Sequence, residues 1–148
     1  LFRSADRLVH KLKQRGIKVE GMHGDMTQPA RQKALKRFET GHVDVLVATD
    51  VAARGLDLDG ISHVINFDPP EDDKAYVHRV GRTARAGRSG VGVTLVTAEQ
   101  QGDVSRLAAR LDLHEEFQEE GMKVAPPRVV FSGSQRGRRS SLRARGRR

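Results

Sequence analysis

Four arginines occur at three-residue intervals in the stretch YVHRVGRTARAGR. On a helix, each three-residue step turns a side chain by about 60°, so the four guanidinium groups would fan out rather than stack. The window 74–98 around them contains no Asp or Glu. Arginine presents a planar, permanently charged fork that matches phosphate oxygens, so the pattern predicts a phosphate-bearing ligand. The four residues are Arg79, Arg82, Arg85 and Arg88.

Two other interpretations of these arginines stay open from the residues alone. They could contact nucleic acid without specificity, or they could form salt bridges with acids that are distant in the sequence. One or two of them placed at a γ-phosphate would instead stabilise charge during phosphoryl transfer. His78, inside the same stretch, is interpreted as a structural hydrogen-bonding residue rather than as a base.

A second candidate segment, TDVAARGLDL, directly follows the apolar run VDVLVA. Thr49 and Asp50 would lie where a strand ends, so their side chains could cap a short helix or meet a ligand. Arg54 and Gly55 would allow close approach of the backbone, and Asp57 offers two acceptors suited to a ribose diol. The alternative is a capping pair, a turn glycine and a surface acid.

A third candidate segment, GDMTQPAR, places Gln28 and Arg31 in the opening turn of a helix. Free N–H groups and the helix dipole favour phosphate there, although an ordinary helix start with a solvated arginine would look the same. No G-x-x-x-x-G-K-[ST] loop and no strand-borne acid pair for Mg²⁺ occurs in the sequence. The six histidines are scattered, so no metal site is predicted. The chain therefore supplies part of a nucleotide site.

Alternating apolar and amphipathic segments position these candidates. Short apolar runs separated by helices of 10 to 15 residues indicate βαβ units with parallel strands, and ligands bind beyond the carboxyl ends of such strands. The predicted strands are 17–22, 43–48, 62–67 and 90–96, and the predicted helices are 3–15, 28–40 (capped by Thr27), one opened by Asp68-Pro69-Pro70 with an acidic first turn, and 98–111.

The net charge of +8 is concentrated at one end of the 148-residue chain. Residues 121–148 contain nine of the 27 Lys and Arg residues and no acid, which leaves 18 basic and 19 acidic residues in the preceding part. The sequence predicts a domain over 1–120 and a disordered Arg/Gly/Ser-rich tail over 121–148. The chain has no Cys, signal peptide pattern or membrane-length apolar run, and it begins with Leu1, which suggests a piece of a longer, cytoplasmic protein.

The order of the three segments resembles the second RecA-like lobe of a DEAD-box ATP-dependent RNA helicase over roughly residues 1–111. QPAR resembles the QxxR element, ATDVAARGLDL resembles motif V, and YVHRVGRTAR resembles motif VI. The resemblance implies an α/β, three-layer αβα fold with a mostly parallel sheet. It also implies ATP with Mg²⁺ bound mainly by an N-terminal lobe, and RNA and that lobe as partners, without a membrane.

Residue roles follow from the resemblance at the matching positions. Arg82 and Arg85 would be catalytic and reach the phosphates of ATP. Gly55 and Asp57 would also contact the nucleotide, with Asp57 at the ribose. The residues predicted to bind RNA are Gln28, Arg31, Thr49 and Arg54. The residues predicted to link the motifs to each other are Asp50, His78 and Arg79. ATP and RNA would close the two lobes, and hydrolysis would release RNA. A single lobe without the phosphate loop should be inactive.

Two departures from the family pattern stand out. Ala84 replaces the usual second Gly of motif VI, which should be tolerated if that position is helical. The strand that opens this lobe is reduced to at most Leu1-Phe2, so a central element of the sheet and its RNA contacts would be missing. Two alternatives remain, a DNA helicase or translocase lobe of the same superfamily and a non-catalytic RNA-binding module that acts through the Arg-rich tail.

Overall fold

The computed structural model describes residues 2–56, 58, 60–84 and 87–124. Asp57, Arg85 and the tail from residue 125 onward, all of which carry predictions, lie outside the described residues. The helices are α1 (Phe2–Gln14), α2 (Gln28–Glu39), α3 (Asp50–Ala53), α4 (Asp73–Val80), α5 (Gln101–Arg110) and α6 (His114–Glu119), with a 3-10 turn at Ala98–Gln100. The strands are β1 (Val19–Met22), β2 (Val45–Ala48), β3 (His63–Asn66) and β4 (Val91–Thr94).

The strands pair in parallel, which confirms the βαβ prediction. β1 pairs with β2, with Val19 opposite Val45, and β3 pairs with β4, with His63 opposite Val91. Within the described residues the two pairs form separate two-stranded sheets and not one continuous sheet. Because Phe2 already belongs to α1, it adds no strand between the pairs. The missing opening strand stays a prediction.

Apolar residues form the core of the first compact unit, Leu1–Gln100. Val19 and Met22 at the two ends of β1 are buried, as is Ala34 of α2. A Cβ added to Gly21 would lie 3.2 Å from a methyl group of Val9, so α1 and β1 approach closely because this strand position has no side chain. Both α1 and α2 contact β1 and β2, which is the layering of a βαβ unit.

The second compact unit is Gln101–Arg148, of which residues 101–124 are described. It contains α5, in which Val104, Leu107 and Ala108 are buried, and α6, which the sequence interpretation missed. The boundary between the two units differs from the predicted domain division of 1–120 and 121–148, and that division stays a prediction. Among the described residues, no helix combines the length and apolar character needed to cross a bilayer.

The bounds of α4 and the cap of α2 differ from the predictions for local reasons. α4 begins at Asp73 rather than at the two prolines, because Asp72 is the N-cap and its Oδ1 accepts the Ala75 N–H at 2.7 Å. Thr27 occupies the N-cap of α2 but makes no side-chain capping hydrogen bond. α4 also ends at Val80, so Arg82 and Arg88 lie outside this helix and the predicted helical fan of arginines is wrong.

Candidate functional site

Arg79 of α4 forms a two-pronged ion pair with Asp50 of α3. Its Nε donates to Asp50 Oδ1 and its Nη2 donates to Asp50 Oδ2, both at 2.7 Å. The sequence interpretation grouped these two residues as motif-linking, and the structure brings them together. Since the Asp50 side chain is 56% exposed, such a pair contributes only about 0–1 kcal/mol to stability. Its main consequence is geometric, because it fixes α4 against α3.

The carboxyl end of β3 supplies the other acceptors of the same guanidinium. Arg79 Nη1 donates to the Asp68 carbonyl at 2.7 Å and to Asn66 Oδ1 at 3.3 Å. Asn66 is the last residue of β3 and is only 2% exposed. Neither of these acceptors was predicted. A lone amide within the apolar run SHVINF was the available signal for Asn66, whereas a backbone carbonyl leaves no signal in the sequence.

Arg82 lies in the turn that follows α4 and reaches the segment after α3. Its Nη1 donates to the Leu56 carbonyl at 2.5 Å and its Nε to the His78 carbonyl at 3.2 Å. The next residue, Thr83, is 4% exposed and its hydroxyl donates to the Ile61 carbonyl. Among the described residues, no hydrogen-bond partner is seen for Nη2 of Arg82. Nε and Nη1 of this guanidinium are therefore anchored to backbone carbonyls, and its Nη2 can meet an anion.

Arg31 connects α2 to the same region of the chain. Its Nη2 donates to the Ala52 carbonyl at 3.2 Å, and its Nη1 donates to Gln28 Oε1 at 3.4 Å. Its Nε is buried and has no hydrogen-bond partner within the described part of the chain. The predicted QxxR pair is thus assembled on the first turn of α2, with Arg31 oriented toward α3.

The other predicted residues surround these contacts. Thr49 is half-buried at the N-cap of α3, without a side-chain capping bond, and its N–H donates to the Met22 carbonyl at 3.2 Å. Arg54, the C-cap residue of α3, is exposed. Gly55 has φ +75° and nothing within 4 Å of an added Cβ, so a ligand could approach its backbone closely. His78 is exposed on α4.

The position that departs from the motif VI pattern is not helical. Ala84 has φ +55°, in the left-handed region that a non-glycine residue occupies at a cost of about 1–2 kcal/mol. The condition under which Ala84 was expected to be tolerated, a helical position, is therefore not met. A glycine would adopt this conformation without strain, which is a physical reason for a glycine at this place in the motif.

Together these contacts make the segment 50–56 a common anchor. Three guanidinium groups from α2 and from the α4 region hold it through one side chain and two backbone carbonyls; they belong to Arg31, Arg79 and Arg82. Polar side chains and an open glycine backbone lie at the carboxyl ends of β2 and β3, where parallel sheets bind ligands. Chemically, this arrangement can present a charged fork to a phosphate. Among the described residues no group of three or more potential metal ligands is found.

Comparison with known proteins identifies the family. A model described as "Helicase conserved C-terminal domain" matches residues 2–87, which is more than half of the chain. The chain belongs to this family. It is 52% identical over 99 residues to the DEAD-box ATP-dependent RNA helicase CshA of Bacillus licheniformis and to that of Bacillus subtilis, over 67% of this chain and 20% of each relative. The chain thus spans about a fifth of the length of these curated relatives.

Solved structures agree with the family. The Escherichia coli DEAD-box protein SrmB, in a crystal structure with the regulator of ribonuclease activity A, is 46% identical with a TM-score of 0.65, over 70% of this chain and 63% of that one. A DEAD-box protein of Methanococcus jannaschii is 32% identical with a TM-score of 0.69, over 75% and 31% of the two chains. These matches confirm the predicted RecA-like α/β fold.

Proposed function

We propose that this chain is the second lobe of an ATP-dependent RNA helicase and that it supplies arginines to ATP and backbone contacts to RNA. The observation that carries the proposal is the position of Arg82, whose Nη1 is anchored to the Leu56 carbonyl within a helicase C-terminal domain. A guanidinium anchored in this way is pre-organised, so it stabilises developing charge on a phosphoryl group without first paying for reorientation.

The residues present fit part of an ATP site. Arg82 offers its Nη2 donors to a phosphate, and the backbone of the nearby Gly55 is open to a ligand. Arg85 and Asp57 would complete the contacts with phosphate and ribose, as the resemblance implies. ATP, when bound with Mg²⁺ mainly to the other lobe, supplies the phosphoryl bond that is hydrolysed. This chain would bind, orient and neutralise, and by itself it would have no ATPase activity.

The RNA contacts are proposed for the surface formed by Gln28, Arg31, Thr49 and Arg54. Helix N-terminal N–H groups and arginines at the start of α2 suit phosphate oxygens. Contacts of this kind hold the backbone and 2′-hydroxyl groups with little sequence preference. Since Arg31 also holds the Ala52 carbonyl, RNA at this surface would act on the same segment that Arg82 contacts. RNA binding and the position of the arginine would therefore be coupled.

The test is an Arg82→Ala variant in a two-lobe protein, obtained by exchanging this chain for the matching segment of the Bacillus subtilis relative. We expect RNA-stimulated ATP turnover to fall by about a hundredfold or more, within the range of arginine-finger losses, while RNA affinity is kept. Lys74→Ala removes an exposed cation from the first turn of α4 and should leave both quantities unchanged. Unchanged turnover with weakened RNA binding would make Arg82 a nucleic-acid contact and refute the proposed role.

A further inference from the structure

Asn66 is a buried amide that the proposed function leaves without a role. It is 2% exposed at the carboxyl end of β3, and a buried amide is costly unless it is hydrogen-bonded. Its Nδ2 donates to Thr94 Oγ1 at 3.0 Å, and its Oδ1 accepts from Arg79 Nη1 at 3.3 Å. Thr94 ends β4 and stands opposite Asn66 in the strand register. The amide therefore connects the ends of both strands to Arg79.

The two neighbours also determine which way the amide faces. The guanidinium of Arg79 has only donors, so the amide oxygen must point toward it, and the amide nitrogen then points toward the Thr94 hydroxyl. A flipped amide would set two donors against each other. Asn66 Oδ1 and the Asp68 carbonyl both accept hydrogen bonds from Arg79 Nη1. Nη1 lies on the side of the guanidinium away from the Nε–Nη2 edge, which binds Asp50. The plane of the fork is thus held from two directions.

We propose that Asn66, oriented by Thr94, is a positioning residue that fixes the Arg79 guanidinium against Asp50. This inference rests on the proposed function only where it concerns turnover. The Arg82 N–H donates to the Arg79 carbonyl at 3.1 Å, so the placement of Arg79 is passed directly to the turn that carries Arg82. The strand ends of the β3–β4 sheet thereby set the position of an arginine that lies outside that sheet.

The first measurement uses the 148-residue chain alone and needs no ATPase activity. Urea unfolding of Asn66→Leu, Asp50→Asn and the double variant forms a double-mutant cycle. Because both side chains hold the same guanidinium, we expect their effects to be non-additive, by at least about threefold in the unfolding equilibrium constant. The control cycle pairs Asn66→Leu with Asp103→Asn, whose carboxylate contacts Arg106 in α5, and it should be additive within about twofold.

Thr94 gives a second pair of variants in case Asn66→Leu does not fold. Thr94→Val keeps the shape of the side chain but removes the acceptor for the Asn66 amide, whereas Thr94→Ser keeps the hydroxyl. In a double-mutant cycle with Asp50→Asn, we expect Thr94→Val to be non-additive, as Asn66→Leu is. We expect Thr94→Ser to unfold like the wild type. Equal behaviour of the two Thr94 variants would overturn the role of the amide orientation.

The second measurement is RNA-stimulated turnover in the two-lobe protein. We expect Asn66→Leu to lower turnover about tenfold, the effect of losing one hydrogen bond to a charged group, with little change in RNA affinity. In an Arg82→Ala background, Asn66→Leu should change turnover less than about twofold, because the group that it positions is gone. Equal losses in both backgrounds would show a structural role only and overturn the proposal.

The two measurements separate failure of this inference from failure of the proposed function. If the effects of Asn66→Leu and Asp50→Asn on unfolding of the 148-residue chain are additive, the positioning role of Asn66 is overturned, whatever the ATP turnover of the two-lobe protein. If instead Arg82→Ala leaves turnover unchanged, the proposed role of Arg82 fails, and the cycle between Asn66 and Asp50 still decides whether Asn66 fixes Arg79.

Discussion

Arg79 and Arg82 are alike in sequence but differ in the hydrogen bonds that they have left to make. Arg79 donates to Asp50 twice, to Asn66 and to the Asp68 carbonyl, which occupies most of its five N–H groups. Arg82 uses Nε and Nη1 on backbone carbonyls. Of the interpretations given for the arginine-rich stretch, a salt bridge to an acid that is distant in the sequence is therefore correct for Arg79. The interpretation as a phosphate ligand fits Arg82 better.

Ala84 gives a stability prediction at the same scale. Ala84→Gly should relieve the left-handed strain of about 1–2 kcal/mol and lose about 0.4–1 kcal/mol through the more flexible unfolded chain. We expect a net gain of a few tenths to about 1 kcal/mol in the free energy of unfolding, measured with urea. Ala30→Gly, on the first turns of α2, should instead cost up to about 1 kcal/mol. Equal losses at both positions would contradict the left-handed conformation.

The helix caps give a prediction at the scale of the element. Asp72 accepts the Ala75 N–H at the start of α4, so Asp72→Ala should lower the free energy of unfolding by about 1 kcal/mol. Thr27 holds the same position in α2 without a side-chain bond, so Thr27→Ala should cost less than about 0.5 kcal/mol. The comparison is made by urea unfolding of the two variants. A larger loss at Thr27 than at Asp72 would contradict the observed caps.

The turn after α4 depends on a glycine that precedes β4. A Cβ on Gly90 would collide with Thr83 Oγ1 and lie 2.6 Å from the Ala84 backbone nitrogen. Gly90→Ala should therefore break the Thr83–Ile61 hydrogen bond and displace the turn that holds Arg82, with a loss of about 2 kcal/mol or more in stability.

A matched control for that variant is Gly24→Ala, because nothing lies within 4 Å of its added Cβ. We expect Gly24→Ala to stay within about 0.5 kcal/mol of the wild type in urea unfolding. Gly90→Ala should also lower the RNA-stimulated turnover of the two-lobe protein. Wild-type stability and turnover for Gly90→Ala would contradict the close packing of β4 against the turn.

Strands and the βαβ order could be predicted because each strand lies in an apolar run that is bounded by amphipathic segments. The end of α4 could not be predicted, because the regular spacing of the arginines suggested a continuous helix. Gly81 is instead its C-cap, and the N–H groups of Arg82 and Thr83 donate to the Arg79 and Val80 carbonyls. The family resemblance placed Asp50 and Arg79 in one motif-linking set. Their direct pairing across 29 residues was not predicted, because spacing alone does not reveal such a contact. Carbonyl acceptors such as Leu56 have no sequence signature.

At the scale of the whole molecule, the chain separates two kinds of positive charge. In the first compact unit the described arginines of the site are held individually, by Asp50 and by backbone carbonyls. The polycationic segment lies in the tail, outside the described residues, where seven arginines follow Ser132. Charge held in a fixed geometry suits one phosphate at a defined place, whereas charge along a Gly/Ser-rich tail suits any polyanion. The two should therefore contribute differently to RNA affinity and to turnover.

Deleting residues 132–148 from the two-lobe protein tests this separation. Each phosphate contact on single-stranded RNA contributes about 0.7 to the slope of log affinity against log salt, so losing seven arginines should reduce the slope by up to about 5. RNA-stimulated turnover at saturating RNA should survive, because Arg82 and its anchors remain. Replacing the seven arginines with lysine should keep the slope. If the deletion abolishes turnover as well, the Arg-rich tail itself is the functional element, and the lobe serves to carry it.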